Sequence, residues 1–129
     1  MILVIGQNPT KDQEYNLAFY GTKSGARLLR WLRTADVPLN NCVMINAWGW
    51  EGKLPSVKDA ALYLKTTRID LLYSADKIIT VGKYADKVIS KLFYEVDKIN
   101  IPHPSGLNRK LNDKDVELEV IESLRRFIS

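Results

Sequence analysis

Three short polar segments of the chain carry the side chains best suited to chemistry. They are GQNPT at 6–10, NAWGW at 46–50 and HPSGLNR at 103–109. The residues of interest are Asn8, which precedes a proline, Asn46, and the only histidine, His103. Amides and a neutral imidazole are hydrogen-bond donors, and donors held in place stabilise negative charge that develops during bond cleavage. The segments therefore predict a site that works by hydrogen bonding.

The sequence offers few ligands for a metal or a redox cofactor. Cys42 is the only cysteine, so an internal disulfide and a four-thiolate iron–sulfur or zinc site are excluded. A single histidine excludes any metal site that needs two imidazoles, although counting does not exclude a carboxylate-bound magnesium ion. We therefore expect no metal and no other cofactor.

Four apolar runs predict the buried strands that position these segments, at residues 2–5, 42–45, 77–81 and 96–101. Apolar residues at helical spacing predict helices at 24–35, 56–72, 84–92 and from 112 or 113 to 128. Strands that alternate with helices form a parallel sheet with right-handed crossovers. The expected fold class is therefore α/β, as a single three-layer α/β/α domain over residues 1–129 with a four-stranded parallel sheet.

The order of these elements also predicts where the site lies. In an open parallel sheet, ligands bind beyond the carboxyl ends of the strands. GQNPT, NAWGW and HPSGLNR each follow directly after a predicted strand. We therefore expect the three segments to meet at this edge of the sheet, called the carboxyl edge below.

The composition is that of a globular protein, with 46% apolar and 26% charged residues among 129. No run approaches the ~20 apolar residues of a membrane span, and the first residues lack a basic lead-in and a cleavage site. We expect a soluble intracellular monomer, cytoplasmic or nucleoid-associated, with no membrane partner. A net charge of +4 permits a polyanionic partner but is only a weak argument for one.

The chain resembles the uracil-DNA glycosylase superfamily. That family has a Gly-x-(Asp/Asn/Ala)-Pro turn after its first strand and a His/Asn-Pro-Ser loop near its end, and GQNP and HPS match both in the right order. The block AFYGTKSGARLLRWLRTADVPLNNCVMINAW is similar to the family's loop, helix and strand ending in Asn, and IITVGKYA is similar to its third strand. The resemblance covers almost the whole chain.

This resemblance implies DNA glycosylase chemistry, in which a base is flipped out of the DNA into a pocket. It gives Asn8 the position that holds the attacking water, with Gln7 beside it in the substrate pocket. Phe19 takes the position that stacks on the flipped base, and Asn46 the position whose amide reads the uracil edge. His103 takes the position that donates a hydrogen bond to the base oxygen.

The resemblance also implies a DNA-binding loop near the end of the chain. Leu107 corresponds to the wedge that fills the gap left by the flipped base. The residues around it are assigned to phosphate and backbone contacts, and they are Ser105, Gly106, Asn108 and Arg109. The implied partner is DNA with a flipped uracil or a damaged pyrimidine.

The sequence departs from the family in three respects. Asn8 stands where some branches have Asp, and an amide cannot take a proton from water, so we expect slower cleavage and expect Asn8→Asp to speed it. Thr10 stands where strict uracil enzymes carry a Tyr that excludes the thymine methyl. The cluster cysteines of the branch that the central block most resembles are missing.

Two other functions compete with hydrolysis of a uracil glycosidic bond. A catalytically silent member of the fold would bind a nucleobase, a modified base or DNA. A nucleotide-binding domain ranks lower, because the P-loop and GxGxxG patterns are missing.

Several residues have structural alternatives to these roles. Asn8 is also suited to bonding its own backbone in a turn, and Phe19 to filling the core. Trp48 and Trp50 suit either stacking on nucleotides or packing as a lid. Three tyrosines at helical apolar spacing are expected in the core, namely Tyr63, Tyr73 and Tyr84.

Overall fold

Four parallel strands form the centre of the fold in the computed structural model, which describes residues 1–9, 22–92, 95–104 and 114–129. The strands are β1 (Ile2–Gly6), β2 (Cys42–Asn46), β3 (Lys77–Val81) and β4 (Asp97–Ile101). They lie in the order β2-β1-β3-β4, and every pair is parallel. Each strand had been predicted from the apolar runs to within about one residue of its bounds.

Helices connect and follow these strands. They are α1 (Lys23–Thr34), α2 (Val57–Thr67), α3 (Ile69–Ser74), α4 (Lys83–Lys91) and α5 (Lys114–Ile128), with a short 3-10 turn at Leu39–Asn41. Within the described ranges, no helix has the length and apolar character needed to span a bilayer.

The single helix predicted across residues 56–72 is wrong, because the structure has α2 and α3 there. The break falls at Arg68, whose backbone leaves the helical region at φ −127° and ψ 22°. Just before it, the hydroxyls of Thr66 and Thr67 donate to backbone carbonyls one turn earlier, at 2.5 and 2.7 Å. Such bonds bend helices, and β-branched threonine is a poor helix former, so both favour a break here. The spacing of apolar residues continues across this break and therefore predicts one helix instead of two.

Successive residues of β1 face opposite sides of the sheet, as the period of a strand requires. Ile2 and Val4 pack against α1 and α5, whereas Leu3 and Ile5 pack against α2, α3 and α4. All four side chains are buried. The sheet is therefore covered on both faces, which confirms the three-layer α/β/α architecture.

Within the described ranges, two helices begin at side-chain caps. The hydroxyl of Thr22 accepts a hydrogen bond from the Gly25 backbone at 2.9 Å, and that of Ser56 accepts from the Asp59 backbone at 3.1 Å. Each cap satisfies one of the backbone N–H groups that the first helical turn leaves without an acceptor.

Helices α1 and α5 are joined by a polar contact beneath the sheet face that they share. The indole N–H of the fully buried Trp31 donates to Glu117 Oε1 at 2.6 Å, and Arg30 pairs with the same carboxylate. The indole bond, together with Arg30 and Arg27, holds the pKa of Glu117 below its usual range against the opposing effect of burial. This contact fixes how α5 lies on α1.

The predicted core positions of the three tyrosines are confirmed only in part. Tyr63 and Tyr84 are half-buried and pack against the core, and the Tyr84 hydroxyl donates to the Pro55 carbonyl at 2.9 Å. Tyr73 is 77% exposed, so its core assignment is wrong. The reason is its place on α3, because the neighbouring Leu71 and Leu72 face the core together with the buried side chains of α2, whereas Tyr73 lies outside that face.

Candidate functional site

The strand register brings the described parts of the predicted site segments to one edge of the sheet. Gly6 pairs with Asn46, and Val81 pairs with Ile101, so the carboxyl ends of all four strands are level. Neighbouring strands lie about 4.8 Å apart, so β2 and β4 are separated by roughly 14 Å across this edge. A ligand the size of a nucleotide can therefore contact groups that follow different strands.

The chains that follow β1 and β2 stay side by side beyond the sheet. The Ala47 backbone donates to the Gly6 carbonyl at 2.8 Å, and the Trp48 backbone donates to the Gln7 carbonyl at 3.0 Å. These two bonds hold the segments together just beyond the ends of both strands. Gln7 is half-buried and contributes its backbone carbonyl to the second bond.

The Asn8 side chain joins the same two segments. Its Nδ2 donates to the carbonyl of Trp50 at 3.1 Å and to the carbonyl of Gly52 at 3.2 Å. Carbonyl oxygens only accept, so the group that faces them is the NH₂, and this fixes the orientation of the amide. We call these two bonds the Asn8 bridge. The bridge leaves Oδ1 as the atom of Asn8 that can act on a ligand.

Asn46 is the last residue of β2 and lies beside Gly6. The neighbouring Ile45 packs on the α2 and α4 side, so Asn46 lies on the opposite face, the face that Met44 and α1 share. Its side chain is half-buried, and no hydrogen bond within the described part of the chain involves its amide. The amide is available to both a donor and an acceptor on a ligand.

His103 follows β4 and packs against the turn that leaves β3. Gly82, at φ 88°, makes this turn, and a Cβ built on it lies 3.5 Å from the Cβ of His103 and 3.8 Å from its Cδ2. Burial lowers the pKa of His103, so the imidazole is neutral near pH 7. No other residue in the described ranges forms a hydrogen bond with the ring, so its N–H can donate to a ligand.

A polar contact that the sequence did not indicate supports the Gly82 turn. With its amide nitrogen facing β3, Asn100 donates to the Gly82 carbonyl at 2.9 Å and to Thr80, whose hydroxyl and carbonyl oxygens lie 3.0 and 3.2 Å from the same nitrogen. Thr80 is fully buried, and the Gly82 backbone in turn donates to the Ile101 carbonyl at 2.8 Å. These bonds tie the ends of β3 and β4 together beneath His103. A polar residue in an edge strand looks solvent-facing in the sequence, so no local signal pointed to this role.

Among the described residues, three aromatic rings pack together around the NAWGW segment, and we call them the aromatic cluster. Trp48 lies 4.8 Å from Trp50 and 5.0 Å from Tyr63 between ring centroids, and Trp50 lies 5.4 Å from Tyr63. Their tilted and edge-on arrangements are the favoured geometries for aromatic pairs. Trp50 nevertheless remains 50% exposed, so the cluster supports its ring without covering it.

Other predicted site residues lie outside the described residues. They are Thr10, Phe19, Ser105, Gly106, Leu107, Asn108 and Arg109. The roles that the resemblance gives them stay predictions. Among the described residues, no group of three His, Cys, Asp or Glu side chains is placed to hold a metal ion.

A parallel α/β sheet with polar loops at its carboxyl edge defines the class of open α/β proteins, which bind their ligands at this edge. The uracil DNA glycosylase superfamily model matches residues 1–125, and the chain belongs to this superfamily. The resemblance seen in the two loops is thereby confirmed. Members of this superfamily are in general hydrolytic glycosylases that act on DNA. No curated protein matches the chain at a significant level.

Proposed function

We propose that this protein hydrolyses the N-glycosidic bond of uracil, or of a related damaged pyrimidine, in DNA and leaves an abasic site. The observation that carries the proposal is the neutral, half-buried His103 at the same edge of the sheet as Asn46 and Asn8. Membership of the superfamily supports the reaction class. Hydrolysis by this chain, the particular base and the residue roles are all part of the proposal.

Cleavage of this bond leaves positive charge on the sugar and negative charge on the base. In the proposed site, Asn8 acts on the water that attacks the sugar, and His103 acts on the leaving base. The bond between N1 and C1′ breaks with its electron pair going to the base, while the water oxygen bonds to C1′ and its proton passes to solvent. His103 donates from its neutral imidazole to the base oxygen on which negative charge develops. A preorganised donor in a partly desolvated place stabilises this charge more than water does.

Asn8 has a narrower role in this reaction than a carboxylate would have. Its two amide hydrogens are engaged by Trp50 and Gly52, so it offers the water only its Oδ1 as an acceptor. An amide oxygen orients a water molecule but does not take its proton. The predicted result is slow turnover that depends more on stabilising the leaving base than on activating the water.

Asn46 accounts for base choice in the proposed site. Its amide presents one donor and one acceptor, which match the O4 acceptor and the N3–H donor of uracil. Cytosine has the opposite polarity at these positions. The proposed contacts to the rest of the substrate fall to Phe19, which stacks on the base, to Leu107 as wedge, and to the phosphate-binding residues Ser105, Gly106, Asn108 and Arg109.

A single-turnover assay at enzyme excess tests the proposal. Labelled single-stranded, U:A and U:G substrates are treated with heat and alkali to reveal abasic sites. We expect cleavage by the wild type and a loss of about 100-fold or more in His103→Ala, because one such donor commonly contributes that much. Tyr73→Leu, which changes an exposed ring outside the proposed site, is the matched control and should retain activity. No abasic product on any substrate would overturn the proposal.

The second candidate function is a protein that binds a nucleobase or DNA without cleaving it. It is favoured by the Asn8 bridge, because the bridge gives the residue at the water position a structural use that does not depend on catalysis. Binding of uracil DNA that depends on Asn46 and His103, without any abasic product, would support this function over hydrolysis.

A further inference from the structure

Trp50 combines exposure with a fixed position next to the candidate site. The ring is 50% exposed, and Trp48 and Tyr63 support it at centroid distances of 4.8 and 5.4 Å. Its own carbonyl accepts from Asn8 at 3.1 Å, so the residue is coupled directly to the GQNPT turn. An exposed tryptophan held in this way can bind a flat ligand without losing much conformational freedom.

We propose that the Trp50 ring stacks on the nucleobase next to the excised one in single-stranded DNA. This inference rests on the proposed function and adds a substrate preference to it. Every base has an apolar face that stacks on an aromatic side chain. In a duplex those faces are covered by neighbouring base pairs, whereas in a single strand they are accessible.

Charge near the ring supports stacking as the source of affinity. Glu51 and Lys53 follow Trp50 in the chain, and both are exposed, so their opposite charges offset each other near the ring. The net charge of +4 suits a polyanion for the protein as a whole. The contribution of Trp50 should therefore depend little on salt, whereas phosphate contacts elsewhere weaken steeply as salt rises.

The first test is binding to an uncleavable oligonucleotide. The strand carries 2′-fluoro-2′-deoxyuridine, whose fluorine withdraws electrons from C1′ and blocks formation of positive charge on the sugar. Of the three tryptophans, Trp31 is fully buried, so ligand-induced fluorescence changes report on Trp48 and Trp50. Trp50→Leu should weaken binding by between about 5-fold and about 150-fold at both low and moderate salt, the range given by one stacked base.

Two variants separate stacking from damage to the fold. Trp50→Phe keeps an aromatic ring and should retain most of the affinity. Tyr73→Leu removes an aromatic side chain that is 77% exposed on α3, and it should bind like the wild type. A thermal melt of each variant checks that the aromatic cluster has not collapsed. Equal affinity of Trp50→Leu and the wild type would overturn the inference.

A double-mutant cycle with the DNA locates the stacked base. An abasic analogue is placed on either side of the fluorinated uridine, and each oligonucleotide is measured with wild type and Trp50→Leu. At one of the two flanking positions, the abasic analogue should weaken binding by the wild type as much as Trp50→Leu weakens binding to the intact strand. Combining the mutation with that analogue should cause no further loss of affinity. Additive losses at both positions would overturn the inference, as would a concentration-dependent dimer that Trp50→Leu abolishes.

These outcomes are distinct from failure of the proposed function. Binding to the uncleavable strand does not require turnover. Trp50-dependent binding without cleavage of ordinary uracil DNA would leave the inference standing and would reject hydrolysis. Cleavage without any effect of Trp50→Leu on binding would reject the inference and leave hydrolysis standing.

Discussion

The Nδ2 atom of Asn8 lies 3.1 Å from the carbonyl oxygen of Trp50, a residue that follows another strand. This bond, with its partner to Gly52 at 3.2 Å, makes Asn8 the link between the β1 turn and the loop after β2. The residue at the proposed water position therefore also positions the segment that carries Asn46 and Trp50. Chemistry and loop geometry are coupled through one side chain.

The Asn8 bridge changes the expectation for Asn8→Asp. From the sequence, a carboxylate was expected to speed cleavage by activating the water. In the structure, a carboxylate at this place faces two carbonyl oxygens and has no hydrogen to donate, so both bonds are lost. We now expect Asn8→Asp to lose about 1–3 kcal/mol of stability and not to cleave faster. Denaturant unfolding and single-turnover assays measure the two effects.

Asn8→Ala is the control for that experiment. It removes both bonds without introducing charge, and it leaves the two exposed carbonyls accessible to water. Its loss of stability should be smaller than that of Asn8→Asp. Faster cleavage by Asn8→Asp at unchanged stability would contradict this expectation. It would show that losing the bridge neither destabilises the fold nor prevents a carboxylate from activating the water.

The sheet could be predicted from the sequence, but the contacts between its loops could not. Buried strands appear as short β-branched runs such as 2–5, and parallel topology then places GQNPT and NAWGW at one edge. By contrast, the partners of Asn8 lie 42 and 44 residues away, and any polar residue before a proline looks like a turn. Asn100 is hidden in the same way, because its partners belong to Thr80 in another strand and to Gly82 just after it.

His103 should titrate below the ordinary histidine range. Burial lowers its folded pKa from the usual 6.5, so the unfolded chain binds more protons in the window just below that value. The stability that this group contributes is fully present above pH 6.5 and is lost as the pH falls through the folded pKa. Because the chain has one histidine, its imidazole signals in an NMR titration need no assignment. His103→Asn should flatten the stability profile in this window, and a pKa at or above 6.5 would contradict the burial argument.

Gly82→Ala and Gly52→Ala make a matched pair. Both glycines have a φ that disfavours a side chain, 88° for Gly82 and 93° for Gly52, so each substitution should cost about 1–2 kcal/mol. The added Cβ at Gly82 contacts His103, whereas nothing lies within 4 Å of the added Cβ at Gly52. We expect only Gly82→Ala to shift the imidazole signals of His103. A shift of similar size in both variants would mean that His103 responds to general loosening of the edge.

Glu117 should be the carboxylate whose loss most affects packing between α1 and α5. Glu117→Ala leaves the buried indole N–H of Trp31 without its acceptor, which should cost about 1–3 kcal/mol in urea unfolding. Glu117→Gln keeps an acceptor oxygen and should cost less, and Leu118→Ala, at an exposed neighbouring position, is the control.

The same group should contribute to acid sensitivity. Its folded pKa is lowered, chiefly by the Trp31 bond, so its stabilisation is present above the ordinary Glu pKa of about 4.3 and is lost as the pH falls through the folded value. The difference in stability between wild type and Glu117→Gln should therefore shrink between about pH 5 and pH 3. A difference that stays constant over that range would show that the charge of Glu117 does not stabilise the helix pair.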